Sequence, residues 1–188
     1  MEEIVLYIDT CNKEMCVGLS RGDNLIYKVQ YDAFKRQSEV AALEIDKCLR
    51  KCDIKPNELN KIVVTNGPGS YTGIRIGLTL AKVMSKVLGI EIVCLSSLKV
   101  MCGLESKSAI IDAKSKRVYY GKYSNGECVV SDCVKFISEL DLNEDYIGDT
   151  QVINKESKNI DIIENMFKLR NSEVSKDIDS VKAVYLKD

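Results

Sequence analysis

Residues 61–73 read Lys61-Ile62-Val63-Val64-Thr65-Asn66-Gly67-Pro68-Gly69-Ser70-Tyr71-Thr72-Gly73, and they are the most informative segment of the chain. The first five are mostly apolar and β-branched, which is typical of a buried strand. Glycines and a proline then break the strand. From residue 74 to residue 88 apolar side chains recur at helical spacing, and Gly89 is placed to cap the helix. A strand, a glycine-rich loop and a helix in this order predict an α/β fold.

On either side of this segment, apolar runs predict further elements. Residues 4–8, 15–19 and 25–31 predict a three-stranded meander, and residues 91–95 predict another strand. Residues 38–52 carry apolar side chains at helical spacing, with Ser38 as the expected N-cap.

The second half of the chain begins a new antiparallel meander. Its predicted strands cover residues 109–114, 117–123 and 127–130. We therefore predict two small lobes, formed by residues 1–103 and residues 104–188.

Composition excludes several classes of protein. The 188 residues are 45% hydrophobic, which allows a sizeable core. With 27 basic and 28 acidic residues the net charge is -1, so the chain lacks the positive excess that drives general binding to nucleic acids or anionic membranes. No apolar run approaches the roughly 20 residues of a membrane span, and the first residues lack the basic start of a secretion signal. We expect a cytoplasmic protein that makes no membrane contact and touches RNA only locally or indirectly.

The residue types that build many active sites are missing. The chain has no histidine, and its eight cysteines include no Cys-x-x-Cys pair. Standard zinc sites and Cys-His or Ser-His nucleophiles therefore cannot form. The cysteines lie in apolar segments, which favours reduced and mostly buried thiols. We predict no metal site and no catalytic residues.

Two segments are candidates for holding nucleotide phosphates. Gly67 and Gly69 precede a helix N-terminus, which attracts anions, and Asp9 and Thr10 follow the first strand, where a carboxylate can face a phosphate or its metal ion. However, no Lys-Ser or Lys-Thr pair follows the last glycine, and Pro68 removes one backbone donor. The loop is better explained as a structural turn, and Asp9 and Thr10 as a turn cap. We expect any binding of nucleotide to be weak.

Small residues recur along the helix after the loop. Gly73, Gly77, Ala81 and Ser85 form one row, which would allow another helix to approach closely. Each glycine inside a helix costs on the order of 1 kcal/mol relative to alanine, so a compensating contact is expected. The spacing leaves open whether that contact lies within the chain or with a partner.

The glycine-rich segment, continued by Ile74-Arg75-Ile76-Gly77-Leu78, resembles a motif of the TsaB (YeaZ) family, with tyrosine where many members carry phenylalanine. Lys114 stands where that family has arginine, and Arg117-Val118 stands for its Glu-Val. Matching segments cover the whole chain: Ile8-Asp9-Thr10, Arg36-Gln37-Ser38-Glu39, Ser96-Ser97-Leu98, Ile111-Asp112-Ala113-Lys114, Val118-Tyr119-Tyr120, Ile147-Gly148-Asp149 and Val184-Tyr185-Leu186-Lys187.

The resemblance implies an actin-like ATPase (ribonuclease H-like) fold and a non-catalytic role. Such a chain is a scaffold or activator in the complex that transfers threonylcarbamoyl to the adenosine next to the anticodon of tRNA. The implied partners are a TsaD-type catalytic paralogue and a small TsaE-type ATPase, with tRNA contacted indirectly. The paralogue binds a metal through two histidines, and Ser97 and Met101 stand at those positions here. No tightly bound cofactor is implied; ATP or ADP with magnesium belongs to the assembled complex.

Members of the family pair two helices with the same two helices of the paralogue or of another copy. The implied interface residues are Ser38, Ala41, Ile45, Gly73, Ile74, Gly77, Leu78 and Ala81. Two alternatives remain open. One is a kinase-like enzyme of the same fold that acts alone, with Asp9 near the metal; the other is a structural homodimer.

Overall fold

A computed structural model describes residues 2–174 and 177–186. Lys187, part of one matching segment, lies outside them. No helix in the described part of the chain has both the length and the apolar character of a membrane span. The strands and α-helices, in chain order, are β1 (Ile4–Asp9), β2 (Glu14–Arg21), β3 (Asn24–Asp32), α1 (Gln37–Lys51), β4 (Lys61–Thr65), α2 (Tyr71–Leu88), β5 (Glu91–Leu95), α3 (Ser97–Cys102), β6 (Lys107–Lys114), β7 (Arg117–Ser124), β8 (Glu127–Phe136), β9 (Tyr146–Gly148) and α4 (Ile162–Leu169).

The first sheet has the strand order β3-β2-β1-β4-β5. Strands β1, β2 and β3 are antiparallel neighbours, as the predicted meander requires, whereas β4 pairs parallel with both β1 and β5. An antiparallel meander joined to parallel strands through helical crossovers confirms the α/β class, and it is the ribonuclease H-like arrangement expected above.

Both faces of this sheet are covered. Alternate side chains of β1 point to opposite faces, as in any strand. Leu6 and Ile8 join the apolar cluster under α1 and α2, while Val5 and Tyr7 join the cluster under α3, α4 and the second sheet. The central strands therefore read as continuous apolar runs because neither face meets water.

The two long helices begin differently. Helix α2 has Ser70 as its N-cap, and its Oγ accepts a hydrogen bond from the backbone N of Gly73; the helix ends at Gly89 in the left-handed conformation, as predicted. The N-cap predicted for α1 is wrong. Arg36 is the N-cap and makes no side-chain cap bond, because the turn that begins at Ala33 brings the chain into the helix one residue before Ser38. Ser38 is an exposed residue of the first turn.

The second sheet has the order β8-β7-β6-β9 and packs over α3. Strand β8 runs to Phe136, six residues beyond the predicted strand, and the sequence patterns missed β9 and α4 altogether. Helix α4 returns to the first sheet, where Ile163 lies so close to Gly18 that a side chain at position 18 would collide with it. The boundary between lobes at residues 103 and 104 stays a prediction.

Candidate functional site

The glycine loop, residues 66–70, is packed against the turn that follows β1. The backbone N of Ser70 donates a hydrogen bond to the carbonyl O of Cys11 over 2.7 Å. A Cβ at Gly69 would collide with the same carbonyl, and a Cβ at Gly73 would collide with the carbonyl of Thr10. These glycines allow the backbone of the loop to contact the backbone of the turn after β1. We call this contact, between residues 66–73 and residues 9–11, the seat of α2.

The side chains of Asp9 and Thr10 make hydrogen bonds within the seat of α2. The Asp9 carboxylate is buried and accepts hydrogen bonds from the backbone N of Cys11 (3.0 Å) and from the hydroxyl of Thr65. Burial raises its pKa. The Thr10 hydroxyl donates to the carbonyl O of Gly73 over 2.7 Å. Asp9 therefore caps the turn after β1, as expected, whereas Thr10 bonds to a carbonyl 63 residues away along the chain, so the turn-cap interpretation is wrong for Thr10.

This arrangement does not fit a bound nucleotide. The carboxylate that would face a magnesium ion is buried and already accepts two hydrogen bonds. The other side of the loop is covered as well, since a Cβ at Gly67 would lie 2.5 Å from the carbonyl O of Val184.

The two positions that the resemblance matches to the paralogue's metal ligands lie on α3. Ser97 and Met101 are both buried, and within residues 2–174 and 177–186 no three His, Cys, Asp or Glu side chains converge in a way that could hold a metal ion. Five of the eight cysteines are buried, as predicted, and burial raises the pKa of the Cys11 thiol, which makes it a poor nucleophile.

The row of small residues on α2 faces inward, so its prediction as a partner surface is corrected here. A Cβ at Gly77 would lie 2.7 Å from Thr10 Oγ1, Ala81 has no exposed surface, and the Ser85 hydroxyl donates to the carbonyl O of Ile90. The close contact that compensates for the cost of the helical glycines is therefore made with the chain's own first sheet and the turn after β1. Gly73 lies in this row.

The larger residues predicted for the interface are also in the core. Ile74 and Leu78 of α2 and Ala41 and Ile45 of α1 are buried in the cluster against the first sheet. Of the eight predicted interface residues, Ser38 alone is exposed. Helical periodicity finds the apolar face of a helix, and here that face packs on the sheet.

Beside the small row, α2 carries a second apolar stripe that begins at the edge of the core, where Ile76 and Leu80 pack against the cluster under α1 and α2. Ile76 and Leu80 are half-buried, Val83 is 56% exposed and Val87 is 77% exposed. Leu43 of α1 is also 58% exposed. Residues 76, 80, 83 and 87 follow helical spacing, so this stripe, which we call the outer stripe, was visible in the sequence but was overlooked beside the glycines. Contiguous apolar patches on a protein surface are typical of interaction sites.

Comparison with known proteins shows which family the chain belongs to. The family profile described as "TsaD: tRNA N6-adenosine threonylcarbamoyltransferase" matches residues 11–170. The tRNA threonylcarbamoyladenosine biosynthesis protein TsaB of Bacillus subtilis is 33% identical over 168 residues, covering 81% of this chain and 73% of that protein. The chain belongs to the TsaB (YeaZ) family. This confirms the resemblance drawn from the glycine-rich segment.

Other similarities agree with TsaB membership. A protein of the same name from Buchnera aphidicola subsp. Schizaphis graminum is 29% identical over 130 residues, covering 65% of this chain and 61% of that protein. The solved structure of YeaZ from Pseudomonas aeruginosa is 18% identical, with a TM-score of 0.80 that covers 98% of this chain and 100% of that one. That structure shows that the two chains share a fold over nearly their whole length.

Proposed function

We propose that this chain is a non-catalytic scaffold or activator subunit of the machinery that transfers threonylcarbamoyl to the adenosine next to the anticodon of tRNA. The similarity that carries the proposal is the 33% identity to the TsaB protein of Bacillus subtilis. The catalytic partner is a TsaD-type paralogue, a small TsaE-type ATPase takes part, and tRNA is contacted mainly by the other subunits.

The chemistry of the chain supports a non-catalytic role. The sequence has no histidine for metal binding or proton transfer. Asp9, the acidic residue that a kinase-like enzyme would need at its metal, is buried and accepts its hydrogen bonds within the chain. Of the two alternatives, the kinase-like enzyme is therefore the weaker.

The outer stripe is the proposed docking surface for the paralogue. Val83 and Val87 project from α2 and Leu43 from α1, so two neighbouring helices offer apolar side chains to two helices of the partner. A four-helix contact of this kind buries apolar area that water now covers. In the absence of the paralogue the same stripe can pair with a second copy, which accounts for the homodimer alternative.

The docking surface is tested by placing a charge in it. We expect Val87→Glu to weaken binding to the TsaD-type paralogue at least tenfold, because a carboxylate would be desolvated in an apolar contact. The matched control is Val129→Glu, a valine of strand β8 that is 56% exposed and outside the helix pair. Size-exclusion chromatography and calorimetry measure the complex. Unchanged binding of Val87→Glu, or equal loss in both variants, would contradict this surface.

The role of the subunit is tested by reconstitution. Paralogue, ATPase, tRNA and the threonylcarbamoyl donor are combined with and without this chain, and the modified nucleoside is measured by mass spectrometry. We expect product only when the chain and the paralogue are both present. Product formed by this chain without the paralogue would overturn the non-catalytic assignment.

A further inference from the structure

Residues 181–186 cross the glycine loop on the side away from the β1 turn. The backbone N of Val184 donates to the carbonyl O of Asn66 over 2.8 Å, and the Asn66 side-chain amide donates to the carbonyl O of Lys182 over 3.2 Å. Because Gly67 has no side chain, the Val184 carbonyl can approach the loop directly. The loop is thus held between the β1 turn and this late segment of the chain.

The same segment contacts α2 and lines a cleft beside the second sheet. On α2, Lys82 donates to the carbonyl O of Val181 over 3.2 Å, and the Tyr185 ring stacks on Tyr71, the first residue of the helix, with centroids 4.9 Å apart. Tyr185 also lines a cleft of about 670 Å³ together with Phe136 and other residues of β7 and β8. One short segment therefore contacts the loop and the helix and lines a cleft with the second sheet.

The segment has one fixed end and one loosely held part. Val181 is buried in the cluster under α1 and α2, whereas Tyr185 is 41% exposed and stacks on a tyrosine that is 59% exposed. None of residues 182–186 is fully buried, and among them Ala183 packs partly against the same cluster as Val181. Segments that bury little apolar surface open locally, at far lower free energy than the core unfolds.

We propose that residues 182–186 form a releasable latch anchored at Val181. When seated, the latch closes the loop and fixes the first turn of α2 through Tyr71. When released, it uncovers the Asn66 carbonyl and the open side of Gly67 and frees the start of α2.

Hydrogen exchange tests the latch in the full chain. Val184→Pro removes the N–H that bonds to Asn66, and a second variant ends after Lys182, which keeps the buried Val181. The amides to follow are those of Ser70, Ile74 and Ser97, which bond within or to the loop region. We expect their exchange to rise about fivefold in Val184→Pro, the effect of one net hydrogen bond, and at least tenfold in the shortened chain.

Two controls separate the latch from general loosening. Val174→Pro places the same substitution at a residue that is 83% exposed, and strand β2 reports on the core. The loop amides of Val174→Pro should exchange as in the unchanged protein. The β2 amides of the two latch variants should also exchange as in the unchanged protein. Loop amides unaffected in both latch variants would show that the segment does not hold the loop. Equal acceleration in β2 would show that the segment is part of the global core, and either result overturns the proposal. If the shortened chain fails to fold, Val184→Pro decides alone.

Discussion

The two faces of helix α2 differ in the size of their side chains and in what covers them. The inward face carries the small residues and touches the backbone after β1, while the outer stripe carries larger apolar residues that water reaches. Small residues on a helix therefore report how closely its neighbour lies, not whether that neighbour is another chain. Exposed large apolar residues are the better sign of a missing partner.

A charge placed at Ala81 gives the strongest test of the difference between the two faces of α2. We expect Ala81→Glu to destabilise the chain by more than about 4 kcal/mol, enough to unfold it, because a carboxylate would be buried without a partner. Circular dichroism and urea unfolding measure the effect.

Val83→Glu is the matched control, two residues along the same helix but 56% exposed. Its free energy of unfolding should change by no more than about 0.5 kcal/mol. A folded Ala81→Glu protein that had lost only partner binding would restore the outward-facing interpretation of the small row.

The sequence anticipates those parts of the fold whose causes are local. Strand β4, the break at the glycines and the cap at Gly89 depend on residues that lie next to one another. Strand β9 has only three residues and exists because it pairs with β6, which is more than thirty residues away along the chain. No local pattern marks such a strand.

The candidate site shows the same limit. Helical spacing groups Gly73, Gly77 and Ala81 on one row, but spacing is identical whether that row meets a sheet or another helix. Only the position of Thr10, delivered by the tertiary fold, decides between them. The predicted N-cap at Ser38 failed for a related reason, since the turn from Ala33 sets where α1 begins.

Asp9, which lies in the seat of α2, predicts that the free energy of unfolding depends on pH. Burial raises the pKa of Asp9 in the folded chain above its unfolded value of about 4, so folding favours the protonated acid. Its contribution to stability is then fully present below that unfolded value and is lost as pH rises through the folded pKa. For one proton the loss is at most about 1.4 kcal/mol per pH unit.

Asp9→Asn removes the titratable carboxyl group while keeping the shape of the side chain. Urea unfolding of both proteins from pH 4 upward should give curves whose difference changes with pH in the stated direction. Burial also raises the pKa of Asp132, but that residue is present in both proteins and cancels in the difference. Parallel curves would mean that Asp9 is ionised in the folded state across this range.

The smallest expected effect tests the contact itself. In Gly77→Ala the new Cβ lies 2.7 Å from Thr10 Oγ1, and crowding of this kind costs about 1–3 kcal/mol. Alanine regains about 1 kcal/mol of helix propensity, so we expect a net loss of about 1 kcal/mol in urea unfolding. In a Thr10→Ala background the obstructing oxygen is gone, and Gly77→Ala should become neutral or stabilising.

Gly89→Ala is the control, because that position has open space around it but a φ of 68°. Its cost comes from the backbone and should be equal in both backgrounds. If Gly77→Ala costs the same with and without the Thr10 hydroxyl, some other neighbour sets the depth at which α2 sits on the sheet.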